Sequence, residues 1–98
     1  MRTLLRFSIP PESGNAAVKD GTLAKVLEST LQRLKPEAAY FSAESGKRGG
    51  FMVFDLASQV DIPSIAEPLF AAFNATVEFS PVMSADDLKL GLSKLAPT

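Results

Sequence analysis

Arg6, Tyr40, Glu44 and Glu78 are the residues of this chain whose types best suit chemistry on a small molecule, and each sits inside a short, mostly apolar stretch. A guanidinium can hold a carboxylate through two parallel N–H donors. A tyrosine hydroxyl can donate to a carbonyl or, with a depressed pKa, accept a proton; a glutamate raised by burial can act as a base. Together they would form a ligand-binding set, provided the fold brings them to one face. The plainer expectation is an Arg6–Glu78 ion pair between neighbouring strands, an ordinary feature of sheets.

Other polar clusters are weaker. The run SGKRGG (Ser45 to Gly50) puts two glycines beside Lys47 and Arg48, and backbone amides with cations can cradle a phosphate. It lacks the Walker pattern, because Phe41 stands where the first glycine is needed and Arg48 where a Ser or Thr must follow. A glycine-rich hairpin loop is the simpler reading. Asp55, Asp61, Asp86 and Asp87 fall mainly at element ends, where capping accounts for them, and no metal site is expected. Lys19-Asp20-Gly21 reads as a solvated turn.

Composition narrows the chemistry further. The 98 residues include no Cys and no His. Thiolate nucleophiles, disulfides, the commonest zinc ligands and the usual proximal haem ligand are therefore missing, and no cofactor is expected. A formal charge of −1 from ten basic and eleven acidic residues is a poor electrostatic match for nucleic acid. The aromatics evoke an RNA-recognition sheet, but Phe7, Phe41 and Phe79 fall on the side expected to be covered. No membrane span or signal peptide is visible, and a cytoplasmic setting is the expectation.

The elements that must position the polar set follow from periodicity. Thr3 to Ile9, Glu37 to Glu44 and Ala75 to Val82 alternate apolar and polar residues as half-buried strands do, and FMVFDL (Phe51 to Leu56) reads as a strand apolar on both sides. Glu12-Ser13-Gly14 reads as a loop and Asn15 as the N-cap of a helix to about Leu34, whose inner face carries Leu23, Val26, Leu27, Leu31 and Leu34. Gly21 interrupts it, and Pro36 forbids continuation. Asp61 can cap a second helix with Ile62, Ile65, Leu69, Phe70 and Phe73 inward, Pro68 as a kink and Asn74 as a left-handed stop. Ser84 and Asp87 form an acidic capping box before Leu88, Leu92 and Leu95, with Pro97 beyond.

The order βαββαβ with an added C-terminal helix predicts one ferredoxin-like α+β domain over residues 1–98: a four-stranded antiparallel sheet with its main helices on one face. Leu5, Phe7, Phe41, Val77 and Phe79 are assigned to the helix side. Leu4, Arg6, Ser8, Tyr40, Ser42, Glu44, Thr76, Glu78 and Ser80 fall on the open side; the facing of 51–56 is left undecided, because both parities are apolar. An open face this apolar calls for a second copy of the chain or for the C-terminal helix folded back over it.

The stretches NAAVKDGTL, LKPEAAYFSAESGKRGGFMVFDL and IPSIAEPLFAAFNATVEFSPVMSADDL resemble a family of small bacterial proteins of unknown function within the ferredoxin-like, dimeric α+β barrel group. The resemblance spans nearly the whole chain and implies that fold and a homodimer; the family has no assigned activity and supplies no catalytic residues. The wider group includes cofactor-free monooxygenases, lactone isomerases and haem-binding enzymes. The expectation is a non-catalytic homodimeric module that assembles or binds a small ligand between its sheets. The alternative is a cofactor-independent, monooxygenase- or isomerase-like enzyme using Arg6 with Tyr40 or a nearby carboxylate.

Overall fold

The computed structural model describes residues 1–95, so Pro97 lies outside the described residues. Strand β1 (Arg2–Ile9) ends at Pro10 and leads into helix α1 (Pro11–Asp20). The Glu12-Ser13-Gly14 loop and the Asn15 cap are thus corrected: the helix starts at Pro11, whose fixed φ suits a first helical position. Tertiary contacts hold this turn. The Ser13 hydroxyl donates to the Phe73 carbonyl at 2.6 Å, and Gly14 is buried. Gly21, at φ 83°, breaks the helix and starts α2 (Thr22–Leu34), which ends on left-handed Lys35 just before Pro36.

Strands β2 (Ala38–Glu44) and β3 (Lys47–Asp55) form a hairpin whose turn is only Ser45 and Gly46, both at positive φ, the geometry that matches strand twist in a two-residue turn. The six-residue loop expected from SGKRGG is therefore mostly strand. A single 3-10 turn (Gln59–Asp61), capped by the Ser58 hydroxyl rather than by Asp61, opens α3 (Ile62–Phe73), which runs through Pro68 to left-handed Asn74. Strand β4 (Thr76–Pro81) follows, then α4 (Ala85–Ser93) behind a complete Ser84–Asp87 capping box.

The antiparallel sheet has the order β2-β3-β1-β4, the ferredoxin-like arrangement, with β1 and β3 central. Leu5 pairs with Met52 and Phe79, and Phe7 with Gly50 and Val77. This register settles β3: Met52 and Phe54 face the helices, while Phe51 and Val53 face outward. The core lies between β1, β3 and α3, where Leu5, Phe7, Ile9, Met52, Leu69 and Phe73 are at most 3% exposed. Phe70, expected inward, is exposed, because the α3 stripe that packs on the sheet is Ile65, Ala66, Leu69 and Phe73. Helix α2 buries no residue completely and packs as a looser cover through its leucines.

Helix α4 does not fold over its own sheet, and that layout is overturned. Leu88, Leu90, Leu92 and Leu95 are all exposed, and the chain is 59 Å long against 28 and 18 Å in the other directions. Its radius of gyration, 16.0 Å, exceeds the roughly 13 Å of a compact chain this size. Among the described residues no element covers the open sheet face.

Candidate functional site

The open face is a set of cross-strand rows. One runs Tyr40, Phe51, Arg6, Glu78 from edge to edge; beside it lie Ala38, Val53, Leu4 and Ser80, and on the other side Ser42, Gly49, Ser8 and Thr76. All four residues singled out from the sequence fall on this face, but they are not brought together equally. The Arg6 guanidinium lies over the Phe51 ring, 5.5 Å from its centroid, and its Nη1 stands 3.7 Å from Glu44 Oε2. Tyr40 stacks tilted on the same Phe51 ring at 5.7 Å. Arg6, Tyr40 and Glu44 thus share one side of the sheet around Phe51.

Glu78 stands opposite Arg6 in the register but forms no ion pair with it among the described residues. The expected Arg6–Glu78 bridge is corrected, and the cause is Phe51: its ring offers the guanidinium a cation–π seat on the β3 side, worth about 0.5–1 kcal/mol when exposed. The Arg6–Glu44 pair is exposed too and adds at most about 1 kcal/mol. The guanidinium is therefore free to exchange Glu44 for another anion.

Toward the hairpin, Arg6, Ser8, Glu44, Ser45 and Lys47 line a depression of about 240 Å³. Lys47, expected in the glycine-rich hairpin loop, is the first residue of β3 and pairs with Glu44. Two cations, Arg6 and Lys47, flank one carboxylate there, and a small anion that displaces Glu44 would meet both. Tyr40 is 64% exposed and the Glu44 side chain 70% exposed in the single chain.

A second polar cluster at the other end of the face was missed. Arg2 donates from Nε to Glu37 at 2.6 Å and from Nη1 to Asp87 at 3.1 Å, and the Met1 amino group meets Asp55 at 2.6 Å. The clue was parity, since Arg2 lies on the same face as Leu4 and Arg6. This cluster has a structural use, tying the base of α4 to β1. The backbone amide and hydroxyl of Ser84, helped by Arg2, hold the Asp87 carboxyl below the ordinary aspartate value. A depressed folded value means the contribution is complete above the unfolded pKa of about 3.9 and is lost as pH falls through the folded one. Acid titration followed by NMR should therefore show the Ser84 and Asp87 amides keeping their positions down to about pH 4 and shifting only below it. In Asp87→Asn the acid step at these amides should vanish.

The fold defines the class: a ferredoxin-like α+β protein. No family model matches the chain, and no curated protein matches it. Among solved structures it is similar to 5-chloro-2-hydroxyhydroquinone dehydrochlorinase (TftG) from Burkholderia phenoliruptrix AC1100, in complex with 2,5-dihydroxybenzoquinone. The TM-score is 0.67 at 18% identity, over 88% of this chain and 97% of that one. At that identity the likeness concerns the fold alone. Among the described residues no helix is long and apolar enough to cross a membrane.

Proposed function

We propose that this chain works as a single-domain homodimeric module, joined through the open sheet faces and holding a small anionic ligand between them. The observation that carries this reading is the strip Leu4, Val53, Phe51, apolar and uncovered, with the Arg6 guanidinium set into it. Covering that strip with a second copy would remove water from Arg6 and Tyr40, so that a carboxylate or phenolate between the sheets would meet a two-pronged cation and a hydroxyl donor in a drier medium. A cysteine-free chain suits a reducing compartment, and the cytoplasm is its natural setting.

The alternative, a cofactor-independent enzyme acting on a small carbonyl or aromatic compound, draws support from the structural neighbour, an enzyme seen with a small dihydroxyquinone. In that reading Arg6 positions the substrate and Tyr40 or Glu44 moves a proton. The absence of histidine, the commonest general base near neutral pH, favours the binding module.

Native mass spectrometry of freshly purified protein, under gentle and then denaturing conditions, tests both the assembly and the ligand. A dimer with additional mass that Arg6→Ala loses is the expected result. A monomer at micromolar concentration would overturn the reading. Tyr40→Phe separates the alternatives: in a binding module it weakens retention of the copurified ligand by about ten- to a hundredfold, the loss of one hydrogen bond to a charged group. An enzyme would instead keep the ligand and lose its conversion.

A further inference from the structure

On the opposite side of the sheet, between α2 and the edge strand β2, lies a cleft of about 350 Å³. Its walls are Phe7, Phe41, Leu23 and Leu27, and Arg48 is the one charged residue lining it. The opening exists because the cover is incomplete: α2 buries no residue fully, and Phe41 is 48% exposed although it points to the helix side. Phe41 meets Phe7 edge-on at 6.2 Å and lies close over Gly50, where an added Cβ would stand 3.0 Å from its ring. A β3 side chain at that point would fill the space.

Arg48 is unusual in its position. It pairs with Ile9 in the register and so projects from β3 to the apolar, helix-covered side. The fold makes room for it: a Cβ on Gly14, inside α1, would stand 2.8 Å from Arg48 Nη1. A glycine within a helix costs about 1 kcal/mol relative to alanine. No carboxylate lies within ion-pairing distance of this guanidinium among the described residues, in contrast to Arg2 and Arg6. An unpaired cation beside a half-filled apolar cleft is complementary to one kind of ligand, an anion with an apolar body.

We propose that this cleft is a binding site for a small amphipathic carboxylate, a medium-chain or aromatic acid, with its tail between Phe7, Phe41 and Leu27 and its carboxylate on Arg48. The guanidinium fork matches a carboxylate in two hydrogen bonds, and the apolar wall reduces competition from water. The site uses none of Arg6, Tyr40, Glu44 and Glu78 and does not depend on the dimer proposed above.

Octanoate is a suitable probe, with octan-1-ol as the same tail without the charge. In ¹H–¹⁵N spectra octanoate should shift the amides of Leu23, Leu27, Phe41 and Arg48 saturably, and bind at least about tenfold more tightly than the alcohol. Arg48→Gln should remove that preference while leaving the spectrum otherwise folded, and Arg48→Lys should restore part of it. Equal affinity for acid and alcohol, a preference that survives Arg48→Gln, or saturable shifts confined to the open face around Arg6 would each overturn the proposal. The last of these would leave the open-face reading intact.

Discussion

Replacing Phe73 with alanine is expected to lower the stability of the chain by about 3–5 kcal/mol, the usual cost of deleting a fully buried phenyl ring. The ring is 0% exposed and sits at the end of α3, against the core of β1 and β3. Its carbonyl accepts the Ser13 hydroxyl, which fixes the first turn of α1, and the next residue, Asn74, takes the left-handed conformation that turns the chain into β4. A cavity here would loosen three junctions together. For a stability of about 10 kcal/mol, the middle of the usual range, the urea midpoint should fall by about 30–50% at unchanged slope. Leu31→Ala should cost clearly less, because α2 is a partly exposed cover. Equal losses at the two positions would contradict a core concentrated under α3.

That unequal core explains which parts of the structure were legible in the sequence. The faces of β1, β2 and β4 could be read because each alternates with a polar side: Arg6 and Ser8 against Phe7 and Ile9, Tyr40 and Ser42 against Phe41 and Ala43, Glu78 and Ser80 against Val77 and Phe79. In β3 both parities are apolar, so only the pairing of Leu5 with Met52 decides it. The start of α1 was hidden because Glu12-Ser13-Gly14 has the composition of a turn. Its helical state depends on a carbonyl 60 residues away and on the space needed by Arg48. Such contacts leave no local pattern.

The same distinction applies to the candidate sites. That Arg6, Tyr40, Glu44 and Glu78 share the open face followed from alternation; which of them meet did not. Arg6 leans toward Glu44 and away from Glu78 because of the Phe51 ring, whose facing the sequence left undecided. Arg48 was obscured by the glycines around it. KRGG looks like turn, yet only Ser45 and Gly46 need positive φ, whereas Gly49 is required by close approach: a Cβ there would stand 2.6 Å from the Phe7 carbonyl oxygen. Once Arg48 belongs to a strand, its facing and its cleft follow.

A Leu4→Asp chain is expected to remain folded and to lose the proposed dimer, with a dissociation constant raised at least about a hundredfold. Leu4 lies at the centre of the open face, between Val53 and Ser80, and is half-buried in the single chain. In a monomer the carboxylate reaches water, and the cost is about that of a poor strand former, up to about 1 kcal/mol. Against a second sheet it would be buried, and its desolvation, at several kcal/mol, exceeds what Arg2 and Arg6, two residues away on the same face, return. The two states therefore respond very differently to one substitution. Sedimentation velocity over a concentration series, with circular dichroism as the check on folding, measures the effect. Leu92→Asp on the projecting helix α4 is the comparison, since its side chain is already exposed and lies outside the proposed interface. A dimer that survives Leu4→Asp but not Leu92→Asp would move the interface from the sheet to α4. The Arg6 site would then lie on an open surface, with no second sheet to enclose a ligand.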